Sequence, residues 1–160
     1  MDEIKRSFMN RWQFTRGETL EILENLNDEQ LGFKPDGERW QALYYQFNCC
    51  ARTQLVYAKA IREDKMDFSW FGSQELPSKS AFTSKDEIRA LLNEANEAWI
   101  DAIETAAPDK TIVWPDFSAP LALHISNLLE HERMHLGQLI SYHTLAGYEL
   151  PPNFKRNWSL

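Results

Sequence analysis

The chain has 160 residues, of which 43% are hydrophobic, enough to bury the core of one domain, and residues 1–160 are read as a single unit. A formal net charge of -7 argues against a surface that tracks phosphates, so nucleic acid is not an expected partner. No run approaches the roughly 20 apolar residues that span a bilayer. The opening Met1-Asp2-Glu3-Ile4-Lys5 lacks the apolar stretch of a secretion signal, so the expectation is a cytoplasmic protein with no membrane partner.

Ile4, Phe8, Trp12, Ile22, Leu23 and Leu26 fall within an arc of about 100° on a helical wheel, which predicts a first helix from about residue 3 to about residue 26. Asn27-Asp28 stops it and caps a short helical turn. After Pro35-Asp36-Gly37 a second helix is expected to open near Glu38, with Trp40, Leu43, Phe47, Ala51, Leu55, Ala58 and Ile61 as apolar positions, and to end around Lys65. Met66 to Thr83 carries Phe68, Trp70, Phe71 and Phe82 without a sustained period, and reads as a long ordered loop whose aromatics cover part of the bundle.

Ser84-Lys85-Asp86-Glu87 has capping-box spacing and opens a third helix through Ile88, Leu91, Leu92, Ala95, Trp99 and Ile103. Thr111-Ile112-Val113-Trp114 is strand-like, but a single run this short is read as part of a crossover and not as a sheet. A fourth helix follows Ser118, with Pro120 in its first turn, and stops before Gly147 and Pro151-Pro152. The basic end, Lys155-Arg156-Asn157-Trp158, is taken as solvated or docked. Four helices of bundle length make the fold class all-α, a four-helix bundle with a long crossover loop. The only cysteines, Cys49 and Cys50, are adjacent, and a disulfide between neighbours would distort the peptide link, so both are read as reduced thiols.

On the fourth helix, Leu121, Ile125, Leu128, Leu136 and Leu139 share an apolar face whose edge carries His124, His131, His135 and Tyr142. His131 and His135 are four apart, so both imidazoles leave the helix on one side and can grip one transition metal through two nitrogens. A third protein ligand is then required. His124 lies about 10 Å along the axis from His131 and is too far to share an ion with His135. His131-Glu132-Arg133-Met134-His135 also spells HExxH, the zinc-protease helix in which the Glu acts as general base. The continuation that would extend it to a metzincin holds Gln138 and Ser141 in place of Gly and His, and Glu149 lies past the helix end. Glu132 projects toward the apolar face, where a carboxylate needs a hydrogen bond or ion pair from a neighbouring helix.

Leu26-Asn27-Asp28-Glu29-Gln30-Leu31-Gly32-Phe33-Lys34-Pro35, then Gly37-Glu38-Arg39-Trp40, and finally His131-x3-His135-x-Gly137-Gln138, resembles the DinB/YfiT-like superfamily, with the features in the expected order across nearly the whole chain. The resemblance implies a four-helix bundle, often dimeric, that holds a divalent metal such as zinc or nickel by three histidines, one on the second helix and two on the fourth. His131 and His135 match the latter pair. The place of the second-helix histidine falls on Asn48, with Gln46 or Cys49 as substitutes, and that helix has no His at all. A neutral amide is a weak ligand for ions that imidazole favours. Cys49 would be a strong one as thiolate, although one residue along the helix is a turn of about 100°.

Where members of the superfamily have known activity, the resemblance implies thiol-dependent transfer, in which a metal lowers the pKa of a low-molecular-weight thiol, with some relatives acting as hydrolases or isomerases. The resulting expectation is an enzyme acting on a small-molecule substrate through a degenerate metal triad, with a homodimer as the implied assembly. Two alternatives stand beside it: a metal-free bundle that binds a small apolar molecule or serves as a dimeric interaction module, and an HExxH zinc metalloprotease.

Overall fold

The computed structural model describes residues 3–160 apart from the side chain of Ile4, so the expected place of Ile4 on the first apolar face lies outside the described residues. Helix α1 (Glu3–Glu24) is followed by the short α2 (Asp28–Leu31), then α3 (Leu43–Glu63), α4 (Lys85–Thr105), α5 (Leu121–Ala146) and a final α6 (Pro152–Trp158). Helices α3 and α1 each pack on both α4 and α5, which puts α1 and α3 at opposite corners of a four-helix bundle.

Asn27 caps α2 with a full capping box shared with Gln30. At the start of α4 the side chain of Ser84 does not cap the backbone but donates to Glu87 Oε2 at 2.6 Å. The backbone N–H of Lys85 is met instead by Asp28 Oδ1 at 2.8 Å, an acid placed at the positive end of a helix dipole. Gly147, at φ +69°, closes α5 in the left-handed conformation that a glycine adopts without steric cost.

Helix α3 begins five residues after the expected start near Glu38. Gly37 sits at φ +111°, and the segment behind it stays irregular until Leu43, whose N–H donates to Phe33 O at 2.8 Å. Trp40 therefore lies outside the helix, half-exposed, with its ring edge-on to Tyr142 at 5.4 Å. The strand-like run also departs from its expected form. Strands β1 (Thr111–Val113) and β2 (Ser118–Pro120) pair antiparallel, with Ile112 opposite Ala119 and both fully buried. The end of α3 extends the pairing: Val113 N–H donates to Asp64 O at 2.9 Å and Met66 N–H to Val113 O at 2.7 Å, so the backbone groups of a three-residue strand find partners on both edges.

Residues 66–83 cover the bundle as expected, with a 3-10 turn at Phe68–Gly72. Trp70 and Phe71 pack on the part of the core around Trp12 and Trp99, and Phe82 on the part around Leu43 and Phe47. The buried guanidinium of Arg52 holds this loop through the carbonyls of Phe71, Ser73, Leu76 and Pro77. The basic end docks: Phe154 is fully buried and Trp158 Nε1 donates to Glu18 Oε1 at 2.7 Å.

The core consists of two apolar clusters stacked along the bundle axis. One contains Leu23, Leu43, Phe47, Leu92, Leu136 and Leu139; the other contains Trp12, Val56, Trp99, Ile103, Ile125 and Leu128. Between them α1, α3 and α5 contribute buried polar side chains, among them Arg16, Gln54 and Glu132. That belt crosses the middle of the bundle and positions the site.

Candidate metal centre

Gln46, Cys49 and Thr53 occupy positions i, i+3 and i+7 of α3, one face of a helix with 3.6 residues per turn, and this face meets α5 at His131 and His135. The Nε2 atoms of His131 and His135 are 3.2 Å apart, and Cys49 Sγ is 3.9 Å from His131 Nε2. All three donor atoms lie within 4.8 Å of one another. Thr53 Oγ1 stands 3.4 Å from the same nitrogen of His131. The structure thus brings Cys49 to the histidine pair.

Asn48 is turned elsewhere. It shares a different face of α3 with Arg52, and its Nδ2 donates to Tyr44 O at 2.9 Å and to Phe82 O at 2.8 Å, tying α3 to the covering loop. Gln46 touches the centre from behind. His135 Nδ1 donates to Gln46 Oε1 at 2.9 Å, Gln46 Nε2 donates to the Tyr142 hydroxyl at 3.1 Å, and that hydroxyl donates to Gln41 O at 2.7 Å. The direction of this chain places the proton of neutral His135 on Nδ1 and leaves the Nε2 lone pair facing His131 and Cys49. A ligand histidine whose other ring nitrogen is held in this way is the usual arrangement around a protein-bound metal.

Burial sets the charge state. It pushes His135 down from its ordinary value to about 3, with the neighbouring His131 adding to the effect, and it lowers His131 as well, against the opposing pull of Glu132. Both imidazoles are therefore neutral at physiological pH, the form that coordinates metals. The donor set fits an ion of the zinc type. With Zn–N of about 2.05 Å and Zn–S of about 2.3 Å, the edges of a tetrahedron are about 3.3 Å between nitrogens and about 3.6 Å between nitrogen and sulfur. The observed 3.2 Å and 3.9 Å lie within a few tenths of an ångström of two of these edges, and the third, between Cys49 and His135, is within 4.8 Å.

Glu132 faces away from this centre. It is fully buried, with Oε1 accepting from Thr19 at 2.6 Å and Oε2 from Arg16 Nη2 at 3.4 Å, both on α1. The partner foreseen for this carboxylate is present. The geometry of an HExxH protease base is not, because the carboxylate is committed to Thr19 and Arg16 of α1 and not to the histidine pair. His124 is buried under Tyr57 and Trp114, with Nε2 3.1 Å from Tyr57 O, and His143 Nδ1 lies 2.8 Å from Leu139 O; both serve packing. Thr53 and the orienting roles of Gln46 and Tyr142 are not foreseen from the sequence, although extending the helical face from Gln46 through Cys49 reaches Thr53.

A pocket of about 430 Å³ opens beside His135, walled by Arg39, Trp40, Tyr45, Gln46 and Tyr142. Among the described residues no helix is long and apolar enough to cross a membrane.

Comparison with known proteins agrees with this architecture. No curated protein gives a significant match. Among solved structures, a DinB-like protein from Bacillus cereus superposes with a TM-score of 0.70 at 17% identity, over 91% of this chain and 95% of its own. A DinB-like protein from Bacillus subtilis superposes with a TM-score of 0.68 at 19% identity, over 94% of this chain and 96% of its own. At such identities the likeness is one of fold. The sequence model of the DinB superfamily matches residues 11–139, most of the bundle including the His131–His135 turn, and the chain belongs to the DinB superfamily.

Proposed function

We propose that this protein is a metal-dependent enzyme in which Cys49, His131 and His135 hold a divalent transition ion, zinc or nickel, and which transfers a low-molecular-weight thiol to, or hydrolyses, a small electrophilic substrate. The observation that carries this reading is the convergence of one thiol and two neutral imidazoles from α3 and α5 within 4.8 Å. Asn48 is left out of the proposed ligand set because its side chain sits on another face of α3, toward Tyr44 and the covering loop at Phe82. A bound ion of this kind supplies Lewis acidity, making a thiol or a water molecule acidic enough to ionise near neutral pH.

The chain's own residues do the rest. Gln46 and Tyr142 hold His135 in the tautomer that presents Nε2 to the centre. The two apolar clusters above and below flank the belt with hydrocarbon, which strengthens the electrostatic interactions within it. Trp40 and Tyr45 give the pocket flat apolar walls for the body of a substrate. A homodimer, common among such proteins, belongs to the same proposal.

The test is elemental analysis of protein purified without an affinity tag or chelator, beside the His131→Gln, His135→Gln double variant and Cys49→Ser. The expected result is near-stoichiometric zinc or nickel in the wild type, none in the double variant, and weakened retention in Cys49→Ser, with Asn48→Ala still loaded. Folded wild-type protein that takes up neither ion when it is supplied would overturn the proposal and favour a metal-free binding bundle.

A further inference from the structure

The site described above has a reacting centre but no assigned recognition element, and the charges around its pocket supply one. Arg39 lines the pocket, is exposed, and has no carboxylate partner among the described residues. Lys79 approaches from the covering loop, its ammonium 5.7 Å from the ring centroid of Tyr45, another wall of the same pocket. No Asp or Glu lines the pocket, and the acids that flank Arg39 in sequence, Asp36 and Glu38, stay outside it. In a chain of net charge -7, an unpaired arginine on an acid-free pocket, with Lys79 next to the Tyr45 wall, forms a local reversal of sign.

The remaining walls are flat and apolar on one side. Trp40 and Tyr142 meet edge-on at 5.4 Å, and Tyr45 stands opposite Lys79. A larger hollow of about 600 Å³ under residues 71–79, which Lys79 itself lines, differs in carrying the carboxylate of Glu75 and in having the guanidinium of its Arg52 consumed by backbone carbonyls. The pocket beside His135 is of ordinary size for a small organic ligand.

We propose that this pocket selects an anionic small molecule, a carboxylate or phosphate monoester with a flat apolar body, through Arg39 on its lining, with Trp40 and Tyr45 along its walls and Lys79 next to the Tyr45 ring as a second, outlying cation. The proposal rests on the reading of the His135 pocket as the substrate side of the centre, but the selection itself needs no metal. An anion can bind the two cations while its apolar body lies against the rings, which holds the ligand next to His135 without a carboxylate wall to repel it.

The test uses three probes of matched body, phenylacetate, phenyl phosphate and the neutral phenylacetamide, titrated into chelator-treated protein at low ionic strength. The shifts of the Trp40 indole N–H and of backbone amides are followed by NMR. Chelation removes direct coordination to an ion as an explanation, so this result and the metal analysis fail independently. At least one anion should bind about tenfold more tightly than the amide, and the tighter of the two identifies the head group. Arg39→Gln and Lys79→Gln should each weaken that anion by about two- to fivefold, and the double variant should bring it to the level of the amide. Equal binding of all three probes, no binding of any, shifts that map away from Trp40, or an anion preference that survives in the double variant would each overturn the proposal.

Discussion

Gln46 is fixed by two contacts of opposite sense, one accepting from His135 and one donating to Tyr142, so its carboxamide cannot turn over without losing both. Gln46→Leu keeps the side-chain volume but leaves the buried Nδ1–H of His135 unpaired, at a cost of about 1–3 kcal/mol, and releases the imidazole to either tautomer. Metal affinity, read by competition with a chelating dye, should fall about 10- to 100-fold in the folded variant. Unchanged affinity would remove Gln46 from the centre. Glu132 makes the opposite prediction. Its carboxylate is the charge partner of Arg16, itself buried, so Glu132→Ala strands a guanidinium in the core and should cost about 3–5 kcal/mol by denaturant unfolding. Metal content per folded chain should not change. Loss of metal at wild-type stability would return Glu132 to the centre and the HExxH reading with it.

Among the described residues the covering loop depends on Arg52 more than on any other side chain: its guanidinium meets four carbonyls between residues 71 and 77, while Asn48 ties down the far end at Phe82. Arg52→Leu keeps an apolar stem on α3 and removes every one of those donors. Backbone hydrogen exchange across residues 66–83 should accelerate toward that of an open segment while the amides of α1 and α5 keep their protection. Equal protection before and after the change would show that the packing of Trp70, Phe71 and Phe82, with the Asn48 tie, holds the loop without Arg52.

At this scale the sequence is also most informative and most misleading. The 3.6-residue period of Trp12, Ile22 and Leu23 or of Ile88, Leu91 and Leu92 marks real helices, because those residues do fill the two clusters. Trp40 continues the apolar period of α3 backwards, and only the left-handed Gly37 together with the Phe33 to Leu43 hydrogen bond shows that the chain there is not helical. Counting two turns from Trp40 lands on Asn48; the helix that begins at Leu43 faces α5 with Gln46, Cys49 and Thr53 instead. The histidine pair escapes this error because its four-residue spacing carries its own phase. The β1–β2 pairing is illegible for another reason, since its edge is completed by Asp64 and Met66, distant in sequence from both strands.

Across the whole molecule, stability comes from the two apolar clusters, and acid should weaken the one built on Trp12 and Trp99 through a histidine that has no part in the metal reading. His124 is enclosed by Tyr57, Trp99 and Trp114, and burial lowers its pKa from 6.5 to about 4. Below pH 6.5 the unfolded chain binds a proton at this position that the folded chain refuses, so stability is full above that value and is lost as pH falls toward 4. At pH 5 the loss through His124 alone is about 2 kcal/mol, a measurable share of the roughly 5–15 kcal/mol that holds a domain together. His143 and His135 shift in the same direction and steepen the decline. His124→Gln can still donate to Tyr57 O but cannot take up a proton, so it isolates the share of one residue. Urea unfolding of the chelated wild type and of His124→Gln at pH 7 and pH 5 should show the wild type losing about 2 kcal/mol more than the variant. Chelation keeps proton competition at His131 and His135 for a bound ion out of the comparison. Equal losses in the two proteins would mean that the folded bundle accommodates a charged His124, and that the aromatic enclosure around it admits water.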